Sequence, residues 1–183
     1  PVVVVQALAI VAASVMVGAS MQVLRRLTAP FTIVLALGAG CWLVGNLAWL
    51  ASGMLAPALP WWLAFLVLTI AGERLELTRF LPTPPAAQRL FIAIVGTILT
   101  GAALNLWFAD AGLRLFAGGL LALAAWLLRY DIARRNARQQ GLTRFIAVCL
   151  LSGYVWLALA GALGMTGALL PGAIWRDAAL HAI

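Results

Sequence analysis

The chain has 183 residues, of which 65% are hydrophobic and only 9% charged, whereas a soluble domain of this length needs roughly 25% charged residues to cover its surface. Most of its surface must therefore face lipid. The net charge of +7 comes from arginines gathered in a few short segments, a pattern that marks loops on the cytoplasmic face of a membrane rather than a nucleic-acid surface.

Taken in order, the apolar runs approach the roughly 20 residues a helix needs to cross a bilayer. The first run, PVVVVQALAIVAASVMVGASMQVL, is too long for a signal-peptide core of about 7–15 apolar residues and lacks a basic lead. It predicts a spanning helix over 2–24, closed by Arg25, Arg26 and Pro30. A second span is expected over 31–55, followed by a charge-free turn carrying Pro57 and Pro60. The third runs over 61–80, the fourth over 90–108, the fifth over 113–130 and the sixth over 145–170, where Pro171 stops it. A seventh begins near Trp175. The expected fold class is all-α: a polytopic transmembrane bundle, residues 1–183 forming one helical domain. With no initiator methionine, and with AALHAI breaking off as an apolar segment begins, the chain reads as a fragment of a larger protein, so its expected partners are the bilayer and the remaining helices.

The arginines then set an orientation. Arg25 and Arg26 fall in the first connection, Arg74, Arg79 and Arg89 in the third, and Arg129, Arg134, Arg135, Arg138 and Arg144 in the fifth. Only Arg114 and Arg176 flank even-numbered connections. The positive-inside rule places the loops 25–30, 80–89 and 130–144 in the cytoplasm, as expected of a multi-pass protein of a bacterial inner membrane. In the fifth loop, RYDIARRNARQQGLTR, Asp131 has the helical spacing to pair with Arg134 or Arg135, and the loop as a whole reads as a solvated segment touching anionic headgroups.

The stretch TIAGERLELTRF packs two glutamates and two arginines into seven residues. Residues 61–72 make about 18 Å of helix at 1.5 Å per residue, against a hydrocarbon core about 30 Å thick. Glu73, Arg74 and Glu76 therefore fall at or just inside the cytoplasmic boundary, with Arg79 three residues beyond Glu76. Two readings are open: an interfacial cap of mutual ion pairs, or an internal polar site for a proton, metal or substrate. His181 is the only histidine. Asp177 precedes it by four residues, so on a helix its carboxylate could orient the imidazole for a metal or haem. Asn46 and Asn105 suit interhelical hydrogen bonds, and the glycines of LALGAG and SGYVWLALAGALG suit close helix approach. Cys41 and Cys149 lie in apolar runs without metal-ligand spacing. No Walker loop, catalytic triad or HExxH is present.

The run LLSGYVWLALAGALG, followed about a dozen residues later by DAALHAI, resembles the NnrS family of bacterial multi-helix membrane proteins. Members carry a Gly-Tyr-x-Trp-Leu helix and then a helix opening with His-Ala, here Gly153, Tyr154, Trp156, Leu157, His181 and Ala182. The resemblance implies a protein of about twelve helices, associated with haem or copper and with the nitric-oxide response. It makes His181 the expected haem or metal ligand and Tyr154 a residue near the cofactor. Against it stand a secondary transporter or proton-coupled permease using Glu73 and Glu76, and a structural or assembly subunit with no site of its own.

Overall fold

A computed structural model describes residues 2–78 and 84–183. The described residues form eight α-helices and no strand: α1 (Val2–Arg26), α2 (Pro30–Ser52), α3 (Leu59–Thr78), α4 (Pro85–Leu104), α5 (Ala109–Tyr130), α6 (Ala133–Asn136), α7 (Gly141–Met165) and α8 (Arg176–His181). Five of them, α1, α2, α4, α5 and α7, are long and apolar enough to cross a membrane. The exception is α3, which was expected to be a sixth. It has 20 residues, but Glu73, Arg74 and Glu76 occupy its last two turns. The uncharged part, 59–72, is about 21 Å of helix, short of the roughly 30 Å core.

The helix ends explain where the observed bounds depart from the expected ones. α2 starts at Pro30, whose missing N–H and fixed φ suit a first helical position. The Thr32 hydroxyl accepts a hydrogen bond from the Ala29 N–H at 3.0 Å. α2 stops at Ser52, three residues short of the expected end, because Gly53 takes the left-handed conformation (φ 66°) and its N–H returns to the Trp49 carbonyl. α4 begins at Pro85 rather than at residue 90, again with proline in the first turn. Prolines 84 and 85 are helix starters here rather than loop residues. α7 begins and ends four to five residues earlier than the expected 145–170. Glycines 167 and 172, at φ 94° and 83°, turn the chain before and after Pro171.

The helices pack as two compact units, Pro1–Glu76 and Leu77–Ile183. In the first, α1 and α2 pair antiparallel. The buried amides of Gln6 and Asn46 donate to the carbonyls of Trp49 (3.3 Å) and Ala9 (3.4 Å), so each polar side chain satisfies itself on the neighbouring helix, as hydrocarbon surroundings demand. α3 lies on α2 through Trp42 stacked on Phe65 at 5.3 Å and Trp49 edge-on to Trp62 at 5.8 Å.

In the second unit α5 is the central helix, packed on α4 along one side and on α7 along the other. Glycine makes the approach possible. A Cβ at Gly112 would lie 2.3 Å from the Asn105 amide nitrogen, one at Gly101 2.4 Å from that of Phe116, and one at Gly161 2.6 Å from that of Leu121. Phe116, Leu120, Leu123 and Leu127 fill the core between them. Within LALGAG and SGYVWLALAGALG the expectation holds for Gly38, Gly161 and Gly164, whereas Gly40 and Gly153 have nothing within 4 Å.

Candidate functional site

The polar feature that the second unit encloses is built where α5 ends. Its last residue is Tyr130; Asp131 then leaves the helix in extended conformation (φ −70°, ψ 147°), its N–H still bonded to the Leu127 carbonyl. That change of direction turns the Asp131 side chain inward. From α7 the phenol of Tyr154 donates a hydrogen bond to Asp131 Oδ2. Asp131 is 3% exposed and Tyr154 4%. The second carboxylate oxygen, Oδ1, is buried and has no hydrogen-bond partner. A buried acceptor left without a donor costs about 1–3 kcal/mol, more when it is charged.

Asp131 does not pair with Arg134 or Arg135. The i, i+3 and i, i+4 geometry needs one continuous helix, and here α6 begins only at Ala133, so the helical spacing is broken between the acid and both arginines. The last turns of α5 also carry an aromatic cluster. Phe91 lies 4.8 Å from Trp126, and Trp126 5.4 Å from Tyr130. The Trp126 indole N–H donates to the Ala87 carbonyl at 2.9 Å, fastening the start of α4 to the end of α5. The Arg129 guanidinium lies over the Tyr130 ring, 5.4 Å from its centre.

At the other end of the unit the charges are balanced. Arg114 Nε donates to Asp110 Oδ1 at 2.8 Å, and its Nη1 donates to the Met165 carbonyl at 2.9 Å, tying the start of α5 to the end of α7.

His181 is exposed on α8. Its Nδ1 lies 2.7 Å from the backbone carbonyl of Asp177. A carbonyl can only accept, so Nδ1 carries a proton, and in the neutral ring Nε2 is left with the free lone pair. The orienting group is thus the Asp177 backbone, not its carboxylate. One such nitrogen could supply one ligand to a metal. Among the described residues no three His, Cys, Asp or Glu side chains gather as a metal centre would require.

Glu73 is exposed, and Arg74 and Glu76 are half-buried; the Arg74 Nε is buried without a hydrogen-bond partner. Arg79 lies outside the described residues. These side chains belong to the first unit, and Tyr154, Asp177 and His181 to the second. Sequence reasoning singled out Tyr154 but assigned Asp131 to a solvated loop. The available signal was its position: the one acid among five arginines, directly after a spanning run.

Long apolar helices, amides satisfied across helix pairs and a buried acid–phenol contact define a polytopic α-helical membrane protein. The chain belongs to the family described as a domain of unknown function, DUF8744, whose model matches residues 1–183. No curated protein and no solved structure matches it.

Proposed function

We propose that this multi-pass protein is a permease of a bacterial inner membrane, coupled to protons through Asp131 and Tyr154. The observation that supports this is the unpartnered Oδ1 of a carboxyl whose residue is only 3% exposed. An acid enclosed among membrane helices is expensive, and such groups mark ion and proton pathways. Oδ1 is the free acceptor for a proton, while Tyr154 holds Oδ2. Glu73 and Glu76 support the reading less, since Glu73 is exposed. In the topology that accompanies it α3 crosses as a sixth span, its last turns at the cytoplasmic boundary, and the loops 25–30, 80–89 and 130–144 lie in the cytoplasm. The test is proton uptake into pyranine-loaded proteoliposomes under a valinomycin-imposed potassium potential. Wild-type protein is expected to acidify the lumen and Asp131→Asn to reduce the rate at least tenfold; equal rates for wild type, variant and empty vesicles would overturn the proposal.

A second reading rests on His181. With Nδ1–H held by the Asp177 carbonyl, Nε2 is presented outward in the tautomer that ligates haem iron or copper, as the NnrS resemblance implies, and that family's link to nitrosative stress would follow. Bound haem would supply the redox and gas-binding chemistry; this chain's contribution would be one oriented nitrogen. The reading predicts a Soret band in the purified protein that His181→Ala abolishes. A colourless protein with no bound copper would dismiss it.

A further inference from the structure

The inward turn of Asp131 has an effect on the outside of the molecule. Between 129 and 144 the chain carries five arginines, Arg129, Arg134, Arg135, Arg138 and Arg144, all of them exposed, and Asp131 is the only acid among them. With that acid buried against Tyr154, the surface of the segment is cationic without compensation. Arg89 joins it: it is exposed two residues after Ala87, whose carbonyl receives the Trp126 indole N–H, so the start of α4 and the end of α5 share one end of the unit. The opposite end, where Arg114 is neutralised by Asp110, has no such excess.

We infer that this end of the second unit is a docking surface for anionic phospholipid headgroups, with α6 and the turn after it as its centre. Arg134, Arg135 and Arg138 ride on that short helical turn, whose backbone is fixed by the Asn136 and Ala137 N–H groups bonded to the Ile132 and Ala133 carbonyls. Guanidinium groups on a fixed turn suit bidentate bonding to phosphate oxygens. Arg129 is steadied over the Tyr130 ring. The occupant is lipid rather than a soluble polyanion because the same surface continues directly into hydrocarbon-facing side chains. Leu142 and Phe145, on either side of Arg144 in the first turns of α7, are 72% and 66% exposed, and α7 is apolar enough to span the bilayer. A phospholipid offers both halves of that match, phosphate to the arginines and acyl chain to Leu142 and Phe145; a soluble polyanion offers only the first. The inference stands independently of the proton reading, since Asp131 is turned away from the lipid surface whether or not it exchanges a proton.

The experiment uses the whole chain purified in a neutral detergent, with phosphatidylglycerol and phosphatidylcholine of the same acyl composition added in mixed micelles. Lipid retention is read by native mass spectrometry. Phosphatidylglycerol is expected to be retained at least tenfold better. The triple variant R134Q/R135Q/R138Q is expected to lose that preference, on the order of the loss that removing three basic residues from an anionic surface brings. Should that variant fail to insert, R134K/R135K/R138K keeps the charge and loses the bidentate geometry, and is expected to retain part of the preference. Inorganic phosphate at equal concentration is expected not to compete. Equal retention of the two lipids by wild type, an unaltered preference in the inserted variants, or full competition by free phosphate would each overturn the lipid assignment.

Discussion

At the scale of single residues, the Tyr154–Asp131 contact concentrates the greatest electrostatic consequence in one bond. Tyr154→Phe removes the donor to Oδ2 and leaves neither oxygen of a 3% exposed carboxyl with a partner. The expected loss is about 1–3 kcal/mol of stability, read as a lower unfolding midpoint in detergent. Asp131→Asn/Tyr154→Phe should recover part of it, because the neutral amide is cheaper to bury than a carboxylate without a donor; a double variant as unstable as the sum of the two singles would refute that coupling. None of this was legible beforehand. Asp131 sits in a polar, arginine-rich stretch, and sequence spacing offers it two local partners that a continuous helix would deliver. The helix ends one residue too soon for that. What decides the contact is a long-range relation, between positions 131 and 154, and no local pattern encodes it.

At the scale of elements, glycine sets how closely α4, α5 and α7 can lie. Gly112 is the most confined: a methyl group there would need to share space with the Asn105 backbone nitrogen, 2.3 Å away, and backbone cannot step aside as a side chain can. Gly112→Ala is expected to pry α4 from α5 at a cost of about 1–3 kcal/mol, seen as a drop in thermal midpoint, whereas Gly153→Ala, with nothing within 4 Å, should leave it unchanged or raise it slightly by removing glycine from a helix interior. The spanning helices themselves were plain in the sequence, since an apolar run of about 20 residues matches the thickness of the bilayer core. Their ends were less plain. Counting apolar residues delayed the start of α4, because its first turn, Pro85 to Gln88, holds little that is hydrophobic, and it prolonged α7 past Met165, because Ala168, Leu169 and Leu170 are apolar residues of a turn. The pairings that shape the first unit, Gln6 with Trp49 and Asn46 with Ala9, follow from the scarcity of polar groups in hydrocarbon, which made Asn46 a visible candidate for an interhelical bond.

For the whole molecule the arginines discriminate between topologies. If α3 crosses, ten of the twelve arginines share one side of the membrane and only Arg114 and Arg176 lie on the other. If α3 stays at the surface, Arg25, Arg26, Arg114 and Arg176 lie opposite the remaining eight, a weaker bias under the positive-inside rule. Cysteine labelling with an impermeant maleimide tests this, after exposed Cys149 is replaced; Cys41 is buried. Single cysteines at Leu27 and Gln139 are expected to be protected in intact cells, and those at Met54 and Trp107 to react. Reversal of one pair alone, either Leu27 with Met54 or Trp107 with Gln139, would mean that α3 does not cross. The bond from Tyr154 to Asp131 also imposes an order on synthesis. Its two residues are separated by 23 positions, and a ribosome adding about 5–20 residues per second makes the acid roughly one to five seconds before its phenol. During that interval the new carboxyl lacks its phenol donor and is best left at the aqueous boundary. Only when α7 enters the bilayer can the end of α5 be drawn in, so the second unit closes from its later-made side.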